Sequence, residues 1–515
     1  MGASVYSQDN VRKGILHYLF GRGMSGVAGF AVIILLVRYM DVQNYAGYTA
    51  LNGLTMFAGI LAGLGLERAI SRYVPEGVLH HSTDALGRFI WIVSYIRFAI
   101  ATLISIGVYF AWNHIDRLFA DINFQYFPLP LALFIVAETL FQHFTAVLQA
   151  IVMQKTLTKI MVIQWSGRLL LLIPLVSIYK NLTIEQVLWV MTLPELAGVV
   201  VFVLVIRQRL RTLAMEQTMT EVVIEPVKWP PWRGVVEMAA HNYGFNLLAA
   251  PPQGYFMKMM VAIFLPANMV AAYGFFLSIA ERMRQYIPLH LLYNLIEPVM
   301  IAKYIQDKDF GSLNHRCQLL YKTNLLLLIP ALALVAAAGG YVISLLTGGK
   351  YHEYVWILCV VIVQLTIGSH VVLLQLILNS VGASRLLVKA SICALVVMVA
   401  FGLIIAYLNP TMILLAPITF SAICNIYIIR QLAKMGYPYR IEWSMISPIF
   451  GAGGVAFAVV FCAVRYFGMV TGDAMMSLLS GIGIAMVYLP ALWIFKAVNL
   501  DELSLLKSFI VSRHR

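Results

Sequence analysis

Seven ionisable side chains lie deep inside long apolar runs: Arg97, Glu138, Arg168, Glu195, Glu281, Arg282 and Arg284. A charge at the centre of a bilayer costs about 2.5–3.5 kcal/mol on insertion scales, so such groups face protein or a wet cavity. The run around Glu138 is the most informative. Glu138, Gln142, Thr145 and Gln149 recur at i, i+4, i+7 and i+11, which places them on one helical face, with His143 just off it. Gln364, Gln375 and Asn379, with His370 beside them, repeat the pattern later in the chain. Polar stripes avoid lipid because their donors and acceptors go unpaired there. Two readings are open: the stripes line a wet cavity, or they join helix to helix. The arginines point to an anion. A guanidinium stays charged and grips phosphate through two parallel hydrogen bonds. Arginines that no carboxylate neutralises would make a cavity electropositive and draw in an anionic group such as a phosphate. Some of these charges are expected to form structural pairs, such as Arg168 with Glu138. Glu281, Arg282 and Arg284 also fit a lower position, as ordinary inner-side charges. Lys258 is close enough to a membrane surface for its head to snorkel out.

The elements that position these groups follow from composition. Of 515 residues, 61% are hydrophobic and 11% charged, and mean hydropathy is +0.84. A soluble domain is about 45–50% apolar and about 25% charged. One core cannot hide this much apolar surface from water. A soluble enzyme, a disordered chain and a secreted disulfide scaffold are excluded, and an all-α polytopic membrane protein is left. A crossing takes about 20 apolar residues. Such segments fall at 16–38, 45–67, 88–112, 127–152, 159–179, 184–206, 238–263, 270–302, 317–346, 354–380, 386–408, 410–430, 442–466 and 473–496, about 14 transmembrane helices. The eighth is too long for one straight crossing, so Pro288 or Pro298 is expected to kink or end it.

With the first span entering from the cytoplasm, most of the 36 lysines and arginines fall on the inner side. Outer segments hold Arg38, Arg117, Lys180, Lys258, Lys350 and Arg465, while Arg97, Arg168, Arg282 and Arg284 lie within spans. Both termini are therefore expected in the cytoplasm. The same rule accounts for the net charge of +13, and no nucleic acid is needed to explain it. The five cysteines show neither CxxC nor metal-ligand spacing. There is no GxxxxGK[ST] motif, and no cofactor or metal is expected.

Two short correspondences indicate a repeat. The segment Tyr39–Tyr48 after span one parallels Phe264–Tyr273 after span seven, and Leu148-Gln149 before Lys155 and Lys159 parallels Leu378-Asn379 before Arg385 and Lys389. The expected organisation is an N-lobe at 1–206 (helices 1–6), a cytoplasmic linker at 207–237, a C-lobe at 238–430 (helices 7–12), two extra helices within 431–498, and a cytoplasmic amphipathic tail at 499–515. In that tail Leu500, Leu503, Leu506 and Ile510 share a face.

The stretch from Leu36 to Ala50, LVRYMDVQNYAGYTA, and that from Gly63 to Glu76, GLGLERAISRYVPE, resemble segments of the polysaccharide (O-antigen and exopolysaccharide) flippases. These belong to the multidrug/oligosaccharidyl-lipid/polysaccharide exporter superfamily. The Tyr273 segment and Glu297-Pro298 are similar to that family's eighth span. The resemblance implies two pseudo-symmetric helical bundles around a central cavity. It also implies alternating access and transfer of a polyprenyl-diphosphate-linked glycan to the outer leaflet of the cytoplasmic (inner) membrane. It implies membrane proteins of polysaccharide assembly, such as a polymerase, as partners in the bilayer. Under this reading Arg97, Glu138, Gln142, Gln149, Arg168, Arg282, Arg284, Gln364 and Gln375 are candidate substrate contacts. Glu67, Arg68 and Arg72 form a candidate inner gate, or else solvated juxtamembrane charge. Two neighbouring functions fit the same architecture: a flippase for the peptidoglycan precursor and a cation-coupled multidrug exporter. The intramembrane arginines disfavour a cationic drug, because like charges repel strongly at low dielectric. A membrane glycan polymerase or ligase would need a sizeable outer loop with acid and base groups. The outer loops, such as His114 to Tyr126 and Thr347 to Glu353, are short, so no enzyme is expected.

Overall fold

The computed structural model describes residues 8–80, 82–119, 121–122, 124, 128–218, 229–467 and 473–497. The tail from Asn499 and the 219–228 part of the linker lie outside the described residues. The described residues are helical, with no strand among them. The chain divides into two compact units, Met1–Ala271 and Ala272–Arg515.

The first unit contains α1 (Gln8–Tyr39), α2 (Val42–Gly63), α3 (Leu66–His80), α4 (Thr83–Phe110), α5 (Trp112–Leu118), α6 (Pro128–Ala150), α7 (Gln154–Ile178), α8 (Ile184–Thr218), α9 (Trp232–Ala249) and α10 (Gly254–Phe264). Helix α11 (Ala267–Arg284) carries the chain into the second unit. There follow α12 (Pro288–Asp307), α13 (Phe310–Thr347), α14 (Val355–Ser380), α15 (Arg385–Leu408), α16 (Ala416–Lys434), α17 (Trp443–Phe467) and α18 (Asp473–Ile494).

Among the described residues ten helices are each long and apolar enough to cross a membrane, and a bent pair raises the number to eleven. All fourteen expected segments are helical, and the difference has local causes. The apolar part of α1 is short, Gly23–Tyr39. The second span breaks between α2 and α3 with a bend of 53°. Here Leu64 and Gly65 both take positive φ, 46° and 69°. The seventh span divides into α9 and α10 at Pro251-Pro252, which cannot continue an α-helical ladder. The eighth divides into α11 and α12, and of its two prolines it is Pro288 that marks the break, at the first position of the new helix.

Within the first unit α1 packs on α7, α2 on α10, and α6 on both α4 and α8. A core of Leu66, Phe89, Phe141, Phe144, Phe202 and their neighbours joins α3, α4, α6 and α8. Trp229 extends it, stacking edge-on to Phe89 and donating from Nε1 to Glu76 at 3.2 Å. In the second unit α13 packs on α14, α17 and α18 around Leu325, Ile329, Ile449 and Ile484.

Candidate functional site

In the first unit the helices bring the intramembrane charges into two groups. The first lies on α6, α7 and α8. Arg168 from α7 is buried and its Nη2 donates to Glu195 Oε1 of α8, a residue with no exposed surface. The expected partner was Glu138; Glu195 takes that place because α7 and α8 meet at this depth. Gln164, one turn before Arg168, donates to the same oxygen at 3.4 Å, and the guanidinium sits 4.4 Å from the Trp165 ring centroid. Glu138 from α6 is the further polar neighbour of Glu195 and accepts from Gln142 Nε2 at 2.7 Å. The i, i+4 spacing read from the sequence is therefore a real hydrogen bond. Gln149, two turns further along α6, is exposed and not part of this group.

The second group sits at the break between α2 and α3. Arg97 of α4 has no exposed surface, and its Nη1 donates to Glu67 Oε1 at 2.8 Å. Its Nε and Nη2 are buried without a hydrogen-bond partner. Two residues predicted for different roles, a substrate contact and a gate, thus form one ion pair. Arg68 and Arg72 are exposed, and Arg72 Nε lies 4.0 Å from Glu76 one turn on. His143 is spent on Ser94 Oγ at 2.8 Å, joining α6 to α4. Lys258 is buried and donates to Asn52 Oδ1 at 3.1 Å, so it anchors α10 to α2 and does not snorkel.

The second unit is polar in a different way. Arg282 and Arg284 occupy the last turn of α11, beside the break before α12, Arg282 half-buried and Arg284 exposed. Cations are favourable there because the carbonyl end of a helix is negative. Gln364 and Gln375 are half-buried on α14, and Gln364 Oε1 is buried with no donor. The structure adds a carboxylate that the composition of the spans had not marked. Glu297 of α12 accepts from Tyr293 Oη at 2.9 Å and from Asn379 Nδ2 of α14 at 2.6 Å. The signal was in the sequence, since Tyr293 and Glu297 are one turn apart in a long apolar segment. His370 of α14 meets Tyr439 Oη at 2.7 Å, and Gln318 of α13 donates to the same oxygen at 2.8 Å. Tyr439 lies in the loop before α17, where burial pushes its phenol up and keeps it a neutral donor.

Chemically, the first unit offers a carboxylate pair with one arginine and a separate buried arginine at a helix break. The second offers exposed arginine at a helix break and a neutral polar stripe on α14.

The fold has solved counterparts. The lipid II flippase MurJ, in an inward closed conformation, matches with a TM-score of 0.66 at 14% identity, over 93% of this chain and 98% of the flippase. An inward-facing multidrug resistance MATE family transporter of the MOP superfamily matches with a TM-score of 0.57 at 12% identity, over 87% and 98%. The Vibrio cholerae MATE transporter VcmN gives 0.50 at 15% identity, over 85% and 99%. No family model matches the sequence, and no curated protein is detectably similar to it. At these identities the likeness is one of fold: the chain is a multi-pass, all-helical membrane protein with the architecture of the MOP-superfamily transporters.

Proposed function

We propose that the chain is a flippase that moves a polyprenyl-diphosphate-linked oligosaccharide from the inner to the outer leaflet of the cytoplasmic membrane by alternating access. The observation that carries this reading is the placement of arginine at both interrupted spans. Spans two and eight hold corresponding positions in the two expected halves, and both are broken. Interrupted spans in corresponding positions are the best pointer to a transporter's binding site. Arg97 lies beside the first break, with two N–H-bearing nitrogens unsatisfied, and Arg282 and Arg284 lie beside the second. A diphosphate is the headgroup such guanidinium groups favour. Arg97, buried with two unsatisfied nitrogens, is assigned the headgroup at the first break, Arg282 and Arg284 are the candidates at the second, and Arg168 remains a candidate contact beside its bond to Glu195. Gln142, Gln149, Gln364 and Gln375 supply donors and acceptors for sugar hydroxyls, and Glu67, with Arg68 and Arg72, guards the inner side. The likeness to the lipid II flippase is one of fold, which a lipid-linked substrate fits, and it leaves open whether that is a polysaccharide or a peptidoglycan precursor.

The test is a leaflet-accessibility assay with the purified chain in proteoliposomes and a polyprenyl-diphosphate-linked oligosaccharide. Loss of a charged hydrogen bond of about 1.5–3 kcal/mol predicts a ten- to hundredfold slower transfer in Arg97→Ala and in the Arg282→Ala/Arg284→Ala double variant. Equal rates in the wild type and both variants would remove the arginines from the site. A second reading, a cation-coupled multidrug exporter, draws on the Glu138–Glu195 carboxyl pair. Extrusion of a cationic dye with no transfer of any lipid-linked glycan would put it first.

A further inference from the structure

Helices α16 and α17 are consecutive in the chain but do not pack side by side: α16 lies on α14 and α15, and α17 on α13 and α18. Between them is a cavity of about 350 Å³, lined from α13, α14, α16, α17 and the loop residue Ile441. Its volume is that of a small ligand site. Leu325, Ile426, Ile446 and Phe450 make most of the wall apolar. The polar residues of the wall are largely engaged elsewhere. Tyr321 Oη donates to Thr366 O at 3.2 Å, Asn425 Nδ2 donates to Ile367 O at 3.3 Å, and His370 Nε2 meets Tyr439 Oη at 2.7 Å. Asn425 Oδ1 is a single open acceptor. One neutral acceptor cannot offset the desolvation of a charged headgroup or a sugar, so what enters the cavity is hydrocarbon.

The cavity opens to the bilayer. Ile426 and Phe450 are nearly half exposed, and Trp443, which opens α17, is 64% exposed. Tryptophan favours the membrane–water interface. From Trp443 to Phe450 the helical rise is about 10 Å. That lies within the hydrocarbon depth of one leaflet, about 15 Å. A methylene takes up about as much space as a water molecule, roughly 30 Å³, so the cavity holds on the order of ten chain carbons. This suits a stretch of one acyl chain and not a polyprenyl tail.

The mouth is basic. Ala422, Ile426, Arg430 and Lys434 recur every fourth residue, so the lining face of α16 runs on into two cations. Arg440 precedes Ile441 on the other side. All three cations are exposed, and among the described residues none is paired with a carboxylate. The acid nearest in sequence, Glu442, is held by His315 at 3.1 Å. The placement of lysine and arginine puts this end of the helices on the inner side.

We propose that the seam between α16 and α17 binds an anionic phospholipid of the inner leaflet, with one acyl chain in the cavity and its phosphate beside Arg430, Lys434 and Arg440. Basic residues at the cytoplasmic ends of membrane helices recognise such headgroups. The lipid fills the space that helix packing leaves open, and so joins α17 to α16. The proposal does not rest on the flippase reading.

The experiment is photo-crosslinking of the full chain in nanodiscs, with labelled peptides mapped by mass spectrometry. The probe is phosphatidylglycerol with a diazirine in one acyl chain, and phosphatidylcholine with the same chain is its control. Phosphatidylglycerol should label α16 and α17 around Ile426 and Phe450 about tenfold more than phosphatidylcholine does. Each basic residue near the surface changes occupancy about fivefold, so Arg430→Gln/Lys434→Gln should lower the labelling ten- to thirtyfold. Ala422→Phe fills the cavity and should abolish labelling there, while the exposed face of α18 is labelled as before. The charge variant alters exposed side chains only, so it decides the matter should Ala422→Phe fail to fold. Equal labelling by the two lipids, or labelling that the charge variant leaves unchanged, would overturn the site and leave ordinary contact with surrounding lipid. Displacement of the probe by an equimolar, unlabelled polyprenyl diphosphate would overturn it too, because the occupant would then be the tail of a lipid-linked substrate.

Discussion

The breaks in spans two and eight reach a similar outcome by different chemistry. At the first, the backbone makes the break. Leu64 and Gly65 both enter the left-handed region, and the helix resumes at Leu66 bent by 53°. The turn is pressed against α9, where Asn242 Nδ2 donates to Gly65 O at 3.1 Å. At the second, side chains make it. Pro288 opens α12, and the Leu289 amide, which the new helix cannot satisfy, donates to Asn324 Oδ1 of α13 at 3.0 Å. The first break therefore depends on having no Cβ at one position. The second depends on a cap brought in from another helix, which implies that its sequence tolerance lies 35 or so residues away from the break itself.

Gly65→Ala should produce the largest effect. A Cβ there would lie 2.2 Å from Ala239 O and 2.6 Å from Tyr243 N, both backbone atoms, and φ is 69°. Left-handed strain alone costs about 1–3 kcal/mol, and overpacking adds about as much. The expected result is a chain that unfolds several degrees earlier in detergent or fails to accumulate. A variant as stable as the wild type would mean that the clamp on α9 is loose.

Glu67→Gln comes next. It leaves Arg97 buried without its counter-charge. Breaking a buried pair costs about 3–5 kcal/mol, but Glu67 is half-exposed, so roughly half of that is expected. Arg97→Met in the same background should recover much of the loss, since it removes the stranded charge. Thermal unfolding of the two single variants and the double measures the coupling. Additive effects would show that the pair does not hold the break.

How much of this was legible in the sequence divides along the same line. Hydropathy located the helical segments, because it depends on composition over about 20 residues, although among the described residues only ten of them, or eleven with the bent pair, are long and apolar enough to span. The prolines of span eight marked its break for the same local reason. The break of span two was not marked: Gly63-Leu64-Gly65 reads as an ordinary small-residue run in a membrane helix. What makes it a break is α9, distant in sequence. The site divides likewise. The Glu138–Gln142 contact follows from helical periodicity. The partners of Arg97, Arg168 and Lys258 do not, since Glu67, Glu195 and Asn52 lie on other helices and pairing depends on depth and rotation. Glu195 reads in the sequence as intramembrane but not as a substrate contact, and the structure makes it the centre of its cluster.

Asn324→Ala should act more mildly than the two changes at the first break. It removes the cap on the Leu289 amide, and loss of a side-chain cap costs about 1 kcal/mol. The amide exchange of Leu289, followed by hydrogen–deuterium exchange of the protein in nanodiscs, should rise while that of α13 stays as it was. Leu→Asn swaps elsewhere are not informative here, but Asn324→Asp is: it keeps an acceptor and should preserve protection at Leu289.

Pro288→Ala is expected to do least, and it decides what causes the second break. If the missing N–H of proline is the cause, alanine lets α11 and α12 join into one helix. If the Asn324 cap is the cause, the break survives. The structure favours the cap. Proline at the first position of a helix removes a donor that has no helical partner there anyway. The Ile287 amide already closes a turn on Arg284 O at 3.3 Å, and the Leu291 amide starts the new ladder on Ile287 O at 2.9 Å. Both bonds can form with alanine at 288. The expected change in stability is therefore under about 1 kcal/mol, the loss of proline's restriction on the unfolded chain. A spin-label distance measured from α11 to α12 across the break should be the same in Pro288→Ala as in the wild type, and should change only when Asn324→Ala is added. A longer distance in Pro288→Ala alone would assign the break to proline, and the two spans would then differ only in which backbone-restricting residue interrupts them.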